Sequence, residues 1–180
     1  MDITAFVIIT IIIIFLFIII SYNSIVNLHK KVEQSKSTIE VYLKQRFDLI
    51  PNLVDTVKAY AQYEKETLEK IISLRESYLK DTSNLEKGYI LNSKCNDVIL
   101  LAEKYPDLKS SDNFLHLQKN LTKMESQLQA ARRIYNSDVT MYNTKILSFP
   151  TIIIAKIFGF KEASLFDIKD NEKDNIKIDF

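Results

Sequence analysis

The chain opens with its longest hydrophobic run, from Ile3 to Ile20, in which only Thr4 and Thr10 carry polar side chains. As a helix this run would span roughly 27 Å, close to the hydrocarbon thickness of a bilayer. Each threonine hydroxyl can donate to the preceding turn of such a helix. A cleaved signal peptide is disfavoured, because no basic residue precedes the run and Ser-Tyr-Asn follows it. The pattern predicts an uncleaved transmembrane anchor over residues 1–21.

Beyond the anchor, apolar or small residues recur at alternating spacings of three and four, as on one face of a helix. The first such series predicts a helix that continues the anchor without a break, with the seam Ile25, Leu28, Val32, Ser35, Ile39, Tyr42 and Arg46. Pro51 then interrupts the helix, and Asp48 is the expected N-cap of the next one. That second helix is predicted to reach about Lys80, with the seam Val54, Val57, Ala61, Glu64, Leu68, Ile71, Arg75 and Tyr78.

Two further helices complete the pattern. The third is predicted from about Leu85 to Tyr105, with the seam Leu91, Cys95, Val98 and Ala102. The fourth starts after the cap-forming cluster Ser110-Ser111-Asp112 and stops at Phe149-Pro150. Its seam is the most regular of all: Phe114, Leu117, Leu121, Met124, Leu128, Ala131, Tyr135, Val139, Tyr142 and Ile146.

Four amphipathic helices with short connections predict an all-α protein, in which an antiparallel bundle of long helices over residues 22–148 follows the transmembrane helix. The fourth helix would then end near the lipid. An apolar segment, residues 149–168, comes next. Its very apolar first part, residues 149–160, is too short to span a bilayer. Two interpretations stay open for it: a helix in the membrane interface, or a cap on the bundle base. Residues 169–180 lack periodicity and are predicted to be a disordered tail.

The number and distribution of charged residues limit the classes of partner that we expect for this protein. The chain has 24 Lys and Arg against 23 Asp and Glu, a net charge of +1, without the basic stripe expected of a nucleic-acid-binding domain. Lys30, Lys31 and Lys36 follow the hydrophobic run, whereas only Asp2 is charged before it. The positive-inside rule therefore predicts a single-pass cell-membrane protein whose N-terminus is outside and whose bundle is in the cytoplasm.

The sequence offers no recognised catalytic or metal-binding motif. Cys95 is the single cysteine, so no internal disulfide can form, and neither His29 nor His116 belongs to a Glu-x-x-His pair. An HExxH zinc motif, a glycine-rich phosphate loop and a G-x-S-x-G elbow are also missing from the sequence. We therefore expect a protein without catalytic activity, cofactor or metal.

Two blocks of residues stand out by their order and spacing. The first contains Asp48-Leu49-Ile50-Pro51-Asn52-Leu53-Val54, Val57-Lys58, Tyr60-Ala61 and Glu64. The second contains Tyr105-Pro106-Asp107, Glu125, Ala131-Arg132-Arg133, Tyr135-Asn136, Tyr142-Asn143, Phe149-Pro150 and Phe158-Gly159-Phe160. Together they resemble the signature of the LemA family over about Tyr22 to Phe166.

The resemblance implies a bacterial single-pass membrane protein with a bundle of long helices. It implies no biochemical activity, because the family is largely uncharacterised, although one relative is associated with magnetosomes. The chain departs from the family pattern at Lys36, Glu40, Gln45 and Tyr63, where the family tends to have Trp, Asp, Arg and His. The absence of that histidine beside Glu64 further disfavours a metal or acid–base site.

The polar residues of the two blocks are the candidate partner-binding or register-setting residues. They are Arg46, Asp48, Asn52, Lys58, Tyr60 and Glu64 around the first hairpin, and Arg132, Arg133, Tyr135, Asn136, Tyr142 and Asn143 on the fourth helix. One interpretation is structural, since inward polar groups can fix the register of packed helices. The other is a docking surface at the DLIPN turn, which we expect roughly 40 Å from the bilayer.

We therefore predict a membrane-tethered scaffold or adaptor for unidentified protein partners at the bacterial inner membrane, with its oligomeric state open. The alternative is a membrane-associated enzyme subunit that uses carboxylates near the first helical hairpin, where Asp48 or Glu64 would meet Arg132 or Arg133 in a pocket. A third hypothesis is lipid remodelling by the anchor together with residues 149–160.

Overall fold

The computed structural model describes residues 3–166, apart from the side chain of Gln62. Regular secondary structure in this range is helical and includes no strand, so the predicted all-α class is confirmed. The helices are α1 (Ile3–Phe47), α2 (Ile50–Lys58), α3 (Lys65–Leu79), α4 (Leu85–Leu101), α5 (Pro106–Lys109), α6 (Asp112–Leu147) and α7 (Thr151–Ile157), with 3₁₀ turns at Gln62–Glu64 and Ala102–Lys104. The predicted disordered tail, residues 169–180, lies outside the described residues.

The chain forms two compact units. We call Met1–Lys36 with Arg132–Phe180 the anchor unit, and Ser37–Ala131 the central unit. Helices α1 and α6 each contribute one part to each unit. The antiparallel order of the four-helix bundle and the predicted domain boundaries stay predictions.

Helix α1 runs unbroken for 45 residues, so the predicted continuation of the anchor into the first amphipathic helix is confirmed. It begins the one helical stretch among residues 3–166 that is long and apolar enough to cross a membrane, and its hydrophobic window is not buried against other parts of the chain. The predicted seam is buried at Ile25, Val32, Ser35, Ile39 and Arg46, and is half-buried at Leu28 and Tyr42. Near Tyr42 the buried stripe shifts by one residue to Leu43, which is 2% exposed. Such a shift is expected, because a straight helix drifts relative to a strict seven-residue repeat.

The corner between α1 and α2 differs from the prediction at its cap. Pro51 lies in the first turn of α2, as expected, but the N-cap position is Leu49 and no side chain caps the helix. Asp48 is therefore not the N-cap, and the prediction was wrong there. The chain keeps helix-like hydrogen bonds through this corner, since the Leu49 N–H donates to the Arg46 carbonyl at 3.2 Å. A conventional cap is not needed to join the two helices.

The predicted second helix is also interrupted, so its continuity from Pro51 to Lys80 was a wrong prediction. After α2 the N–H groups of Tyr60 and Ala61 both donate to the Val57 carbonyl, at 3.1 and 2.9 Å. Ala61 then leaves helical geometry at φ −124° and ψ 66°, and a 3₁₀ turn leads into α3. The predicted seam is nevertheless buried at Val54, Val57, Ala61, Leu68, Ile71 and Tyr78.

The remaining helices of the central unit follow the predictions closely. The side chain of Asn84 caps α4 by accepting from the Lys87 N–H at 3.1 Å, and the predicted seam residues Leu91, Cys95, Val98 and Ala102 are buried. A short helix, α5, was not predicted and follows from Pro106, which favours an extended Tyr105 and then starts a new turn. The predicted seam of α6 is buried or half-buried throughout.

The anchor unit contains α7, the short helix predicted within residues 149–160. Its C-terminus is a Schellman motif: the Gly159 N–H donates to the Lys156 carbonyl, and the Phe160 N–H donates to the Ala155 carbonyl. Gly159 has φ 74°, a conformation that side-chain-bearing residues rarely adopt. Residues 160–166 then continue without regular secondary structure. We call them the extended segment.

Candidate functional site

A charged cluster lies inside the central unit around Arg46, whose side chain is 1% exposed. Its guanidinium pairs with the Glu125 carboxylate and donates to the side-chain amide oxygen of Asn92 and, at 2.6 Å, to that of Asn96. The Asn92 amide also donates to Glu125 at 3.2 Å. The cluster thus joins α1, α4 and α6, and a buried cation is tolerated because charge and hydrogen-bond partners surround it.

A second arginine supports the corner at the end of α1. Arg75 Nε donates to the Phe47 carbonyl at 2.9 Å, and its guanidinium lies 3.6 Å from the Asp48 carboxylate. The last carbonyls of a helix have no partner within the helix and favour a nearby cation. Asp48 is mostly exposed, so its ion pair adds little stability. Of the two contacts of Arg75, the one to the Phe47 carbonyl therefore does more to connect α3 to α1.

The other first-hairpin candidates divide by exposure. Glu64 is half-buried and accepts from the Tyr105 hydroxyl at 3.3 Å. Partial burial and, next, the charge of Glu64 raise the pKa of Tyr105. Asn52, Lys58 and Tyr60 are exposed. The structure brings Asp48 to Arg75 and Glu64 to Tyr105, which leaves three signature residues on the surface of the central unit.

In the anchor unit, a series of Tyr and Asn side chains on α6 binds the backbone of the extended segment. Asn143 donates to the Ala163 carbonyl at 2.8 Å and accepts from the Ala163 N–H at 2.9 Å. Asn136 makes the same pair of bonds to Phe166, at 3.0 and 2.7 Å. Each asparagine thus satisfies both backbone groups of one residue, as a neighbouring β-strand would.

Two tyrosines add single bonds to the same segment. The Tyr142 hydroxyl donates to the Lys161 carbonyl at 2.9 Å, and the Tyr135 hydroxyl donates to the Ser164 carbonyl at 3.0 Å. Burial raises the pKa of both tyrosines, so they remain neutral donors over the physiological range. We call Tyr135, Asn136, Tyr142 and Asn143 together the Tyr-Asn ladder.

The spacing of the ladder has a geometric origin. Asn136 and Asn143 are seven residues apart, about 10.5 Å along a helix. Their partners Phe166 and Ala163 are three residues apart, about 10 Å along an extended chain. Two helical turns therefore match three extended residues, and the segment runs antiparallel to α6. This match explains why the Tyr-Asn pair repeats after seven residues.

The end of the extended segment is held by its aromatic ring. The Arg132 guanidinium lies 5.2 Å from the centre of the Phe166 ring, within the range of a cation–π interaction. The Tyr135 ring also meets Phe166 edge to face, with 6.3 Å between centroids. Arg133, the neighbouring candidate, is exposed.

Two further observations concern the cysteine and the potential metal ligands among the described residues. Burial raises the pKa of Cys95 to about 12, so its thiol is protonated at neutral pH and a poor nucleophile. Within residues 3–166, His, Cys, Asp and Glu side chains form no group of three suited to a metal ion. Arg46, Glu64 and the Tyr-Asn ladder instead bind other groups of the chain.

Three residues of the cluster around Arg46 were not predicted as site residues: Asn92, Asn96 and Glu125. Asn92 and Asn96 each directly follow a seam residue of the third helix, and Glu125 follows Met124 on the fourth. Polar residues beside a seam usually face water, so the pattern gave no reason to place them against Arg46. The extended segment was missed because its partners bind backbone atoms, which leave no trace in sequence.

Comparison with known proteins supports the resemblance that the two residue blocks indicate. The sequence model of the LemA family matches residues 35–180. Protein LemA of Metamycoplasma hominis is 26% identical over 155 residues, which cover 84% of this chain and 71% of that protein. Magnetosome protein MamQ of Magnetospirillum gryphiswaldense is 22% identical over 185 residues, and magnetosome protein MamQ 2 of Paramagnetospirillum magneticum is 25% identical over 181. Both matches cover 84% of this chain but 66% of the magnetosome protein.

Proposed function

Since the chain belongs to the LemA family, we propose that it is a membrane-anchored, non-catalytic scaffold that presents its central unit to a protein partner. The observation that supports this proposal is the use of the signature polar residues. Arg46 and the Tyr-Asn ladder bind groups of the chain itself, so they shape the protein rather than await a substrate.

The partner surface that we propose lies on the central unit beside the break between α2 and α3. Asn52, Lys58 and Tyr60 are exposed there, and Tyr63 is 97% exposed. Exposed tyrosines suit protein interfaces, because the ring supplies contact area and the hydroxyl supplies a hydrogen bond. This surface combines apolar, cationic and amide groups, and is better suited to another protein than to a small molecule, for which a concave site is usual.

A photo-crosslinking experiment tests the surface. Full-length protein with a benzophenone amino acid at Tyr60 or Tyr63 is irradiated in its native membranes, and the same probe at Leu100, which is also exposed, serves as the control. We expect an adduct of defined mass from the first two positions and not from Leu100, with a lower yield in Lys58→Glu. Equal yields at all three positions would contradict the proposed surface. Turnover of any substrate that is lost in Asp48→Asn or Glu64→Gln would contradict a non-catalytic role.

We also propose that the central unit lies in the cytoplasm, as Lys30, Lys31 and Lys36 indicate. The buried Cys95 simplifies the test, because an engineered cysteine at exposed Leu115 would be the more reactive thiol. We expect Leu115→Cys to react with a membrane-impermeant maleimide only after the cells are permeabilised. Labelling in intact cells would show that the central unit lies outside the cytoplasm.

A further inference from the structure

Helix α7 has two faces with different environments. Thr151, Ile154 and Ala155 are buried within the anchor unit. Ile153 and Ile157, one turn apart, point the other way and are 52% and 71% exposed. Phe149 before the helix and Phe158 after it are 83% and 53% exposed. We call Ile153 and Ile157, together with the exposed Phe149 before the helix, the α7 apolar face.

The contacts between α7 and α1 show where the α7 apolar face lies relative to the hydrophobic run. The Tyr22 ring, two residues beyond the hydrophobic run, lies 4.7 Å from the Phe158 ring and 5.8 Å from the Phe160 ring. A cavity between the two parts of the unit is lined by Phe17 and Ile20 of α1, and by Phe149 with the residues beside it. The α7 apolar face is therefore level with the end of the membrane-spanning run. Exposed apolar surface on α1 continues directly toward it from residues 6–20.

Water is an unfavourable environment for the large apolar side chains of Phe149, Ile153 and Ile157, which are all more than half exposed. Lipid is the environment that we expect around the α7 apolar face, because the adjoining hydrophobic run of α1 already requires lipid. Exposed Lys156 fits the same placement, because its long side chain can extend from an apolar surface to the phosphates. The helix has seven residues, far too few to cross the bilayer.

We propose that the α7 apolar face inserts into the lipid leaflet at the level where α1 leaves it, as a second membrane contact. The partner is the lipid surface itself. This inference rests on the membrane anchoring in the proposed function, but not on the existence of a protein partner. Two contacts at the same level would limit tilting of α1, which a single span permits.

Tryptophan fluorescence offers a test without background, because the chain contains no tryptophan. Single-tryptophan variants of the full-length protein are reconstituted in phosphatidylcholine–phosphatidylglycerol vesicles, with and without lipids brominated near the headgroup end of the acyl chain and, in separate vesicles, near its methyl end. Ile157→Trp reports on the α7 apolar face, and Ile13→Trp reports on the span. Ile134→Trp is the matched control, since Ile134 is also exposed but lies roughly 22 Å along α6 from Phe149.

We expect brominated lipid to lower the emission of Ile157→Trp by roughly twofold, with a blue shift, and to leave Ile134→Trp unchanged. Ile153→Trp is a second reporter of the same face and should behave like Ile157→Trp. If Ile13→Trp is quenched while both face reporters match Ile134→Trp, the face meets water or protein and the inference is wrong. If Ile13→Trp is not quenched either, the anchoring itself fails, and the inference with it.

Discussion

The two units of this protein use their interior polar groups in different ways. The central unit encloses a charge, Arg46, which pairs with the Glu125 carboxylate and donates hydrogen bonds to two asparagine side chains of another helix. The anchor unit encloses mainly neutral groups, the Tyr-Asn ladder, which bind backbone atoms of a non-helical segment. The first arrangement joins helices to each other, whereas the second attaches a chain that has no helix of its own. Loss of the buried charge pair should therefore have a different effect from loss of the neutral hydrogen bonds.

Alkaline pH should have the largest effect, and mainly on the central unit. Burial raises the pKa of Tyr78 from 10.0 to about 12, and that of Cys95 from 9.0 to about 12. Both groups lose their protons at lower pH when unfolded than when folded. Their contribution is therefore complete below about pH 9 and falls by several kcal/mol as the pH rises toward 12. Urea titrations in detergent, followed by far-ultraviolet circular dichroism, measure this loss.

The matched control is the double variant Tyr78→Phe with Cys95→Ala. It removes both titrating groups, and its stability should fall less steeply above about pH 9. The same slope in the variant and the original protein would show that other groups control alkaline unfolding.

Removing one partner of the buried ion pair should have the next largest effect. Glu125→Leu removes the carboxylate that pairs with the buried Arg46 guanidinium, and should lower the free energy of unfolding of the central unit by about 3 kcal/mol. Alkylation of Cys95 by iodoacetamide reports this opening, and should accelerate by roughly a hundredfold.

The double variant Arg46→Met with Glu125→Leu sharpens the comparison, since it removes the charge and its partner together. It should recover most of the lost stability. If the double variant is as unstable as Glu125→Leu alone, the loss of the carboxylate opposite Arg46 is not the cause.

In the anchor unit, loss of the asparagines should release the extended segment. Asn136→Leu with Asn143→Leu removes four neutral hydrogen bonds, and should weaken the attachment of the segment by about 2 kcal/mol. Trypsin cleavage after the exposed Lys161 should then accelerate by roughly thirtyfold. Ser137→Ala, an exposed change on the same helix, should leave cleavage unchanged. Equal cleavage in all these proteins would mean that the asparagines do not hold the segment.

The smallest effects come from two tyrosine hydroxyls. Tyr142→Phe removes the bond to the Lys161 carbonyl and should weaken the segment's attachment by about 1 kcal/mol, measured by the same cleavage assay. The Tyr78 hydroxyl is buried without a hydrogen-bond partner among the described residues. Tyr78→Phe should therefore be neutral or slightly stabilising in urea titrations. A clear loss of stability in Tyr78→Phe would reveal a partner for that hydroxyl.

Some of these features follow from sequence and others do not. The seam of α6 was predicted residue by residue, because its apolar spacing is regular over most of the helix. The break after α2 was missed because Val57, Ala61 and Leu68 keep helical spacing across it, and are buried although the chain leaves the helix between them. Apolar spacing records which residues are buried, and it does not record whether the backbone between them stays helical.

The candidate site shows the same limit. Arg46 was singled out because a charged residue occupied a seam position, and it is buried. The Tyr-Asn ladder was singled out by its order and spacing, but its partner was not, because the bonds are to the backbone of residues 161–166. A backbone partner places no demand on residue type, and therefore no periodicity marks it.

Hydrogen exchange at the Ala163 and Phe166 amides tests most directly whether the signature residues serve the fold. Both amides lie outside any helix or strand, and donate to the side chains of Asn143 and Asn136. In the full-length protein in vesicles we predict slow exchange at both, with Asn143→Leu releasing Ala163 and Asn136→Leu releasing Phe166. Exchange at the rate of an unstructured peptide in the original protein would contradict the account.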